Sequence, residues 1–194
     1  MTHVWYVAYG SNLSLDRLTC YVEGGCPPGG TRAHPGARDR TPPLRSIPVD
    51  LPGTTYFAGR SAQWGGAVAF YDHATPGRTA ARGYLVSAGQ FADIAAQEMH
   101  RDPRADDPLE QLVLAPLPDG RHEVGPGGYE TVVDVGRHDG APMLTFTAPH
   151  TAATAERSRP SAAYLATMAR GLGEAHGWEE PVAHDYLAGL QNLA

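Results

Sequence analysis

The distribution of apolar residues along the chain predicts short strands separated by turns. Positions 3–9, HVWYVAY, are a run of aromatic and branched residues, which is typical of a buried strand. Six later segments have the same character and are separated by turn sequences such as PDG, GPGG and HDG. These further predicted strands are TTYFAG (54–59), GGAVAFYD (65–72), ARGYLVS (81–87), EQLVLA (110–115), YETVVDVG (129–136) and PMLTFTA (142–148).

Four helices are predicted where apolar residues recur every three or four positions. They begin near Leu15, at Ser87, at Pro160-Ser161 and at residue 181, and end at Gly24-Gly25, near His100, at Gly177 and at residue 193. Ser87 and Gln90 have the spacing of a capping box, in which the two side chains satisfy free amides at the start of a helix.

The order of these elements indicates the fold class. Helices do not alternate regularly with strands, and the turns between strands are short, which favours an α+β domain with a mixed, mostly antiparallel sheet or barrel and flanking helices. A chain of 194 residues is consistent with a single domain over residues 1–194. Residues 26–52 are dense in Pro, Gly and Arg, and we predict a long loop insertion there.

The composition of the chain argues against two classes of binding partner, nucleic acids and membranes. The formal net charge is −6, all 15 basic residues are arginine, and the arginines are scattered. Nucleic acid is not an expected partner, because binding its backbone needs clustered cations. No apolar stretch reaches the roughly 20 residues of a membrane-spanning helix, and no signal segment opens the chain, so we expect no membrane association and a cytoplasmic location. Cys20 and Cys26 are expected to be two reduced thiols.

One acidic residue lies on an apolar helix face. In the helix that follows Ser87, Glu98 shares a face with Phe91 and Ile94, at spacings of three and four residues. A carboxylate on a face that packs against the core is costly unless it is paired or has a function. Two interpretations remain open from the pattern alone: a buried general acid/base, or a boundary residue that pairs with Arg101.

The first predicted strand ends in Tyr9-Gly10-Ser11-Asn12, which is unusual chemistry for a strand end. Glycine allows a close approach of the backbone to a ligand. Successive backbone N–H groups there can hold an anion, and a helix that starts nearby adds to the attraction. The alternative for these four residues alone is a plain turn followed by a helix cap.

Other catalytic motifs are missing from the sequence. The nine histidines form no H-E-x-x-H motif or Cys/His pairing at metal-ligand spacing, so we expect no metal site. AYGSNLS differs from the G-x-S-x-G nucleophile motif, which argues against a serine hydrolase.

Two motifs in this order, YVAYGSNL and PSAAYLATMARGLGEAHGW, resemble those of the γ-glutamyl cyclotransferase family. Members of that family open with a strand that ends in Tyr-Gly-Ser-Asn-Leu, carry a glutamate on a middle helix, and close with Pro-Ser-x-x-Tyr before a helix with Gly-x-x-Glu-x-Gly. The closing pattern is matched by Pro160, Ser161, Tyr164, Gly171, Glu174 and Gly177. The resemblance covers about residues 4–178.

This resemblance implies an enzyme that cleaves a γ-glutamyl amide. The α-amine of the substrate attacks its own γ-carbonyl and releases 5-oxoproline and a free amine. Glu98 would be the general acid/base, Tyr164 would contact the substrate, and the pocket would be lined by Tyr6, Val7, Ala8, Tyr9, Gly10, Ser11 and Asn12. No cofactor or metal is implied, the partner is the small-molecule substrate, and the chain is expected to be a monomer or homodimer.

Two positions depart from the family pattern. The glutamate of the family is commonly followed by Gly and preceded three residues earlier by Asp, where this chain has Met99 and Ala95. A second hypothesis is therefore a catalytically silent module that keeps the anion-binding loop for another small carboxylate or amide ligand.

Overall fold

The computed structural model describes residues 2–27 and 32–192 and has an α+β architecture. The strands are β1 His3–Ala8, β2 Arg45–Pro52, β3 Thr54–Ala58, β4 Val68–Asp72, β5 Arg78–Ser87, β6 Arg121–Glu123, β7 Thr131–His138 and β8 Ala141–Thr147. The helices are α1 Leu15–Val22, α2 Ala88–Glu98, α3 Pro108–Leu112, α4 Ala162–His176 and α5 Glu180–Asn192, with short 3₁₀ turns at Ser11–Leu13 and Pro118–Gly120. None of the helices in these described ranges combines the length and apolar character that crossing a bilayer requires.

Six strands form one sheet in the order β2-β5-β1-β8-β7-β6, and β3 and β4 form a separate pair. The β1–β8 contact is parallel and the other pairings are antiparallel. The predicted fold class, a mixed and mostly antiparallel sheet with flanking helices, is therefore confirmed.

Strand β1 lies in the middle of the six-stranded sheet and is buried on both faces. Because side chains alternate along a strand, Trp5 and Val7 face one side and Tyr6 faces the other. We call the first side the α4 core, which includes Met168 and Leu172 of α4, and the second the α2 core, which includes Phe91 and Ile94 of α2. The loop that follows β1 thus leaves the sheet between two packed layers.

The capping residues predicted from the sequence lie at the ends of α2 and α4 in the structure. The Ser87 hydroxyl accepts from the Gln90 backbone amide, and the Gln90 side chain accepts from the Ser87 amide, so the capping box is confirmed. Ser161 caps α4, and Gly177 ends it with a φ of 67°, a left-handed conformation that glycine adopts without a steric penalty. These caps fix where Glu98 and Tyr164 lie.

Two predicted elements were wrong. Residues 45–52, predicted as part of the 26–52 loop, form the edge strand β2, in which Val49 and Leu51 alternate inward. Its prolines are tolerated because an edge strand leaves one side unpaired. Residues 110–115, predicted as a strand, instead overlap the helix α3, whose start is set by the Asp107 cap and by Pro108. Residues 28–31 of the predicted loop lie outside the described residues.

Candidate active site

A cavity of about 600 Å³ opens where β1 ends. Its walls come from the β1–α1 loop (residues 9–14), from α1, from the end of α2, and from segments 60–64 and 126–130, with Tyr164 of α4 behind the loop. The structure therefore brings together one end of the central strand and the ends of helices from both layers.

The β1–α1 loop requires glycine at position 10 because a side chain there would be too close to a neighbouring residue. Its φ is −108°, which other residues also adopt. A Cβ atom at this position would lie 2.9 Å from the Tyr164 hydroxyl. Glycine therefore lets the loop backbone pass directly over that hydroxyl at the floor of the cavity.

Glu98 and the β1–α1 loop are joined by a direct hydrogen bond. The Asn12 side-chain amide donates to Glu98 Oε1 at 2.9 Å and to the Tyr6 hydroxyl at 3.0 Å. These two bonds use both amide protons of Asn12 and so fix its orientation. Its buried Oδ1 has no hydrogen-bond partner among the described residues. An unpaired acceptor is thus buried near the carboxylate.

The surroundings of Glu98 are buried and aromatic. Tyr6 is held between the ring of Phe146, with centroids 5.0 Å apart, and that of Phe91 at 5.9 Å. Burial raises the pKa of Tyr6 and Tyr21 well above the ordinary value, and the negative charge of Glu98 adds to the rise. Both phenols are therefore neutral at physiological pH.

The alternative ion pair between Glu98 and Arg101 does not form. The Arg101 guanidinium faces Glu130 instead, with a nitrogen–oxygen distance of 3.9 Å, and it contacts the Met99 sulfur. Glu98 is only partly buried and points to the cavity. Of the two interpretations of this carboxylate, the geometry favours the one in which it faces a ligand.

The Tyr164 hydroxyl lies at the floor of the cavity and accepts a hydrogen bond from the Ala69 amide at 3.0 Å. Burial raises the pKa of Tyr164 to about 12, although the nearby N–H groups of Ala69 and Ser11 oppose the rise. An oxygen that accepts from backbone amides still has its own proton to donate. The hydroxyl can therefore support the loop and also donate to a ligand.

Seven of the nine predicted site residues line this cavity, namely Tyr6, Tyr9, Gly10, Ser11, Asn12, Glu98 and Tyr164. Val7 and Ala8 do not line it. They lie within β1, where both are buried, and pack into the two cores on opposite faces of the sheet. They can shape the pocket only by supporting their neighbours.

The closing motif supports the β1–α1 loop from behind. A Cβ at Gly171 would lie 2.3 Å from the Leu13 carbonyl carbon, so α4 touches the loop backbone directly. Glu174 accepts from the Leu15 amide at 2.8 Å and from Arg82 at 2.7 Å. The Tyr84 hydroxyl donates to the Leu13 carbonyl at 3.1 Å. The sequence pattern alone did not indicate that these residues hold the loop.

Other cavity residues were also missed from the sequence. Arg17 and Tyr21 lie one turn apart on α1 and line the cavity with His34 and Trp64. Arg17 shares the buried face of its helix with Leu18 and Tyr21, so the argument applied to Glu98 could have found it. His34 follows a segment without periodicity and gave no signal.

Within residues 2–27 and 32–192, no group of three His, Cys, Asp or Glu side chains is arranged to hold a metal ion. Cys20 is a free cysteine, as expected, and is buried, whereas Cys26 is exposed.

Comparisons with known proteins extend these observations. No family model matches the sequence. A curated relative, Histone deacetylase 5 of Arabidopsis thaliana, is 29% identical to this chain. The alignment is 198 positions long and covers 95% of this chain. The chain spans 30% of the length of that protein.

Two solved structures are similar over nearly the whole chain. An uncharacterized protein from Homo sapiens has a TM-score of 0.58 and 15% identity, and the match covers 97% of this chain and 88% of that one. A structure named gamma-glutamyl cyclotransferase has a TM-score of 0.56 and 13% identity, with 96% and 87% covered. The α+β fold of this chain is therefore that of a gamma-glutamyl cyclotransferase.

Proposed function

We propose that this protein is a γ-glutamyl cyclotransferase-like enzyme that converts a γ-glutamyl amide to 5-oxoproline and a free amine. The observation that carries the proposal is the hydrogen bond between Glu98 and Asn12, which places a carboxylate directly beside the β1–α1 loop. The Glu98 carboxylate and the β1–α1 loop then line the same cavity. The reaction needs a proton acceptor beside a site that holds the substrate carboxylate.

Substrate binding uses the loop in this proposal. The first amides of a helical turn have no acceptor within the helix, and the Gly10 and Asn12 amides can receive the α-carboxylate. The Asn12 side-chain amide, which donates to Glu98 Oε1, keeps the carboxylate in place to meet the α-amine. Holding the substrate folded in this way brings the amine close to its own γ-carbonyl, which contributes much of the rate enhancement in cyclisations.

Glu98 then acts first as a general base and afterwards as a general acid. It takes a proton from the α-amine, whose ordinary pKa of about 8 leaves it largely protonated near neutral pH. The amine lone pair forms a bond to the γ-carbon, and the carbonyl electrons move to the oxygen, which hydrogen-bond donors such as the Tyr164 hydroxyl stabilise. When the oxyanion collapses, the bond to the leaving nitrogen breaks and Glu98 gives that nitrogen the proton it took. The ring nitrogen, which still carries two hydrogens, releases one of them to solvent, and the products are 5-oxoproline and the free amine.

The experiment that tests this function is a direct assay for 5-oxoproline with a panel of γ-glutamyl amides. The panel includes neutral, anionic and cationic leaving amines, so that failure on one substrate does not decide the result. Formation of 5-oxoproline with stoichiometric release of amine supports the enzyme. Binding of the same amides without turnover by the unmodified protein would instead support the silent binding module, for which the departures at Met99 and Ala95 are the motive.

The proposed reaction predicts that activity persists in EDTA and after thiol alkylation. Neither a metal nor the thiols of Cys20 and Cys26 take part in the chemistry, and Cys26 is the exposed cysteine that a reagent reaches first. The measurement is the initial rate before and after each treatment. A loss with EDTA that added zinc restores would contradict the mechanism.

Tyr164→Phe is expected to lower kcat/KM by about fivefold to tenfold, the order of one hydrogen bond to the substrate. It also leaves the Ala69 amide without its acceptor, so we expect a lower melting temperature. The matched control is Tyr186→Phe, because the Tyr186 hydroxyl accepts from the Ala80 amide at 3.0 Å and lies outside the cavity.

The two tyrosine variants separate stability from substrate contact. Both should lose a comparable amount of stability, while only Tyr164→Phe should lose kcat/KM. Equal kcat/KM in both variants and the unmodified protein would show that the Tyr164 hydroxyl serves the fold alone.

A further inference from the structure

Tyr84 of β5 is a buried tyrosine that reaches the β1–α1 loop from behind. Its hydroxyl donates to the Asn12 carbonyl at 2.9 Å and to the Leu13 carbonyl at 3.1 Å. Burial raises the pKa of Tyr84, so the hydroxyl keeps its proton and remains a donor near neutral pH. Tyr84 is not among the described residues that line the cavity. Any effect of its hydroxyl on the reaction therefore has to pass through the loop.

The sheet places two tyrosines on opposite sides of Asn12. Tyr84 lies directly opposite Tyr6 in the antiparallel pairing of β5 with β1, so both side chains are on the same face of the sheet. Their rings stack in the α2 core with centroids 6.4 Å apart. The Tyr6 hydroxyl accepts from the Asn12 side-chain amide at 3.0 Å, whereas the Tyr84 hydroxyl donates to the Asn12 carbonyl. One tyrosine thus holds the side chain of Asn12 and the other holds its backbone.

The two carbonyls that Tyr84 contacts differ in their dependence on it. The Leu13 carbonyl also accepts from the Arg82 guanidinium at 3.1 Å. Without the Tyr84 hydroxyl, the Leu13 carbonyl would keep this donor, while the Asn12 carbonyl would lose its bond to Tyr84. Asn12 is buried, and a buried carbonyl that loses its donor is costly. Removal of the hydroxyl is therefore expected to displace the Asn12 backbone in particular.

Asn12 transmits such a displacement to Glu98. Its side-chain amide donates to Glu98 Oε1 at 2.9 Å, within the range of a strong hydrogen bond to a carboxylate. Hydrogen bonds weaken steeply when their distance or angle departs from the preferred range. A shift of the Asn12 backbone therefore loosens the contact that fixes the carboxylate. Tyr84 and Glu98 are separated by a single residue in this chain of contacts, although Tyr84 itself is outside the cavity.

We infer that Tyr84 is a positioning residue for the general acid/base: its hydroxyl holds Asn12 so that the Asn12 amide fixes the Glu98 carboxylate in the cavity. This inference rests on the proposed function and adds to it a residue outside the cavity on which the rate depends. A hydroxyl that served the fold alone would change the melting temperature and leave kcat unaltered.

Tyr84→Phe removes the hydroxyl and keeps the ring that stacks on Tyr6. We expect kcat for 5-oxoproline formation to fall by about tenfold to 100-fold, the effect of a misplacement of up to about 1 Å. The matched control is Tyr56→Phe. Both tyrosines are 0% exposed, and the Tyr56 hydroxyl also donates to a backbone carbonyl, that of His150, at 2.9 Å outside the cavity. Both variants should lower the melting temperature, but only Tyr84→Phe should lower kcat.

A double-mutant cycle with Asn12→Ala tests whether the effect passes through the Asn12 side chain. Asn12→Ala removes the amide that contacts Glu98 and keeps the carbonyl that Tyr84 holds. In that background, Tyr84→Phe should lower kcat by less than about twofold, because the contact through which it acts is already absent. If the separate effects of the two substitutions on kcat multiply in the double variant, Tyr84 acts independently of the Asn12 side chain and the inference is overturned.

A spectroscopic measurement without substrate tests the same coupling. In a ¹H–¹⁵N NMR spectrum of the protein, the side-chain amide signals of Asn12 are identified by their loss in Asn12→Ala. Tyr84→Phe should shift these signals, and Tyr56→Phe should leave them in place. If Tyr84→Phe does not fold, a fluorotyrosine at position 84, with the fluorine next to the hydroxyl, keeps the bond and alters its strength. It should also shift the Asn12 signals, and unchanged signals would overturn the inference.

The outcomes separate this inference from the proposed function. Normal kcat in Tyr84→Phe on a confirmed substrate would overturn the positioning role and leave the cyclotransferase function standing. Absence of 5-oxoproline from every γ-glutamyl amide with the unmodified protein would overturn the proposed function, and with it the role of Tyr84 in catalysis. The Asn12 signals would in that case still show whether Tyr84 holds Asn12.

Discussion

Replacing Glu98 by glutamine should abolish 5-oxoproline formation and leave substrate affinity within about tenfold of the unmodified protein. The amide has nearly the same shape as the carboxylate, and its oxygen can still accept from Asn12, which donates at 2.9 Å in the structure. It cannot take the proton from the α-amine. General acid/base groups typically contribute about 10²–10⁴-fold in rate, and kcat should fall at least that far.

The measurements are kcat for 5-oxoproline formation and calorimetric titration of the same substrate into each protein. Glu156→Gln is the matched control, because Glu156 is exposed and lies outside the cavity. It should keep normal turnover. A Glu98→Gln protein with near-normal kcat on a confirmed substrate would exclude the mechanism. A variant that loses binding and turnover together would indicate that Glu98 organises the pocket rather than moving protons.

Local patterns in the sequence were sufficient to predict α2 and α4, the helices that carry Glu98 and Tyr164. The capping signals at Ser87 and Ser161 set the starts of α2 and α4, and left-handed Gly177 sets the end of α4. The apolar spacing in α2 then predicted that Glu98 lies on the same helix face as Phe91 and Ile94. Such signals act within one or two helical turns, which is why they can be found without knowing the fold.

Contacts between distant residues could not be predicted in the same way. Asn12 and Glu98 are 86 positions apart, and nothing in either segment encodes their hydrogen bond. Residues 45–52 were predicted as loop because the prolines concealed an alternation that only the edge of a sheet permits. Residues 110–115 have the apolar composition of a strand, but the cap at Asp107 starts a helix just before them. In both cases, local composition pointed to the wrong element.

The loop that forms the candidate site also depends on a helix that the sequence alone did not connect to it. Gly171 of α4 lies against the backbone of the β1–α1 loop, where a Cβ would meet the Leu13 carbonyl carbon at 2.3 Å and the Ser14 nitrogen at 2.4 Å. Real Cβ atoms essentially never approach other atoms so closely. Because both of these contacts are with backbone, a change of rotamer cannot relieve them. The helix or the loop has to move.

Gly171→Ala should therefore destabilise the protein and also reduce activity. Overpacking of a buried contact typically costs about 1–3 kcal/mol, which corresponds to a decrease in melting temperature of roughly 2–12 °C for a chain of this size. Displacement of the loop by about 1 Å also moves Asn12 away from Glu98. A misplacement of this order lowers rates by on the order of 100-fold. Thermal unfolding and kcat/KM for 5-oxoproline formation measure the two effects.

Gly189→Ala is the matched control, because it makes the same substitution at a position where the added Cβ contacts no other atom. Gly189 lies inside α5, is exposed, and has no atoms within 4 Å of the position of a Cβ. Alanine is favoured over glycine inside a helix by about 0.5–1 kcal/mol, so this variant should be slightly more stable and fully active. The two substitutions should thus have opposite signs for stability, because one Cβ enters open space and the other enters the loop backbone. A Gly171→Ala protein as stable and as active as Gly189→Ala would show that α4 does not hold the loop in place.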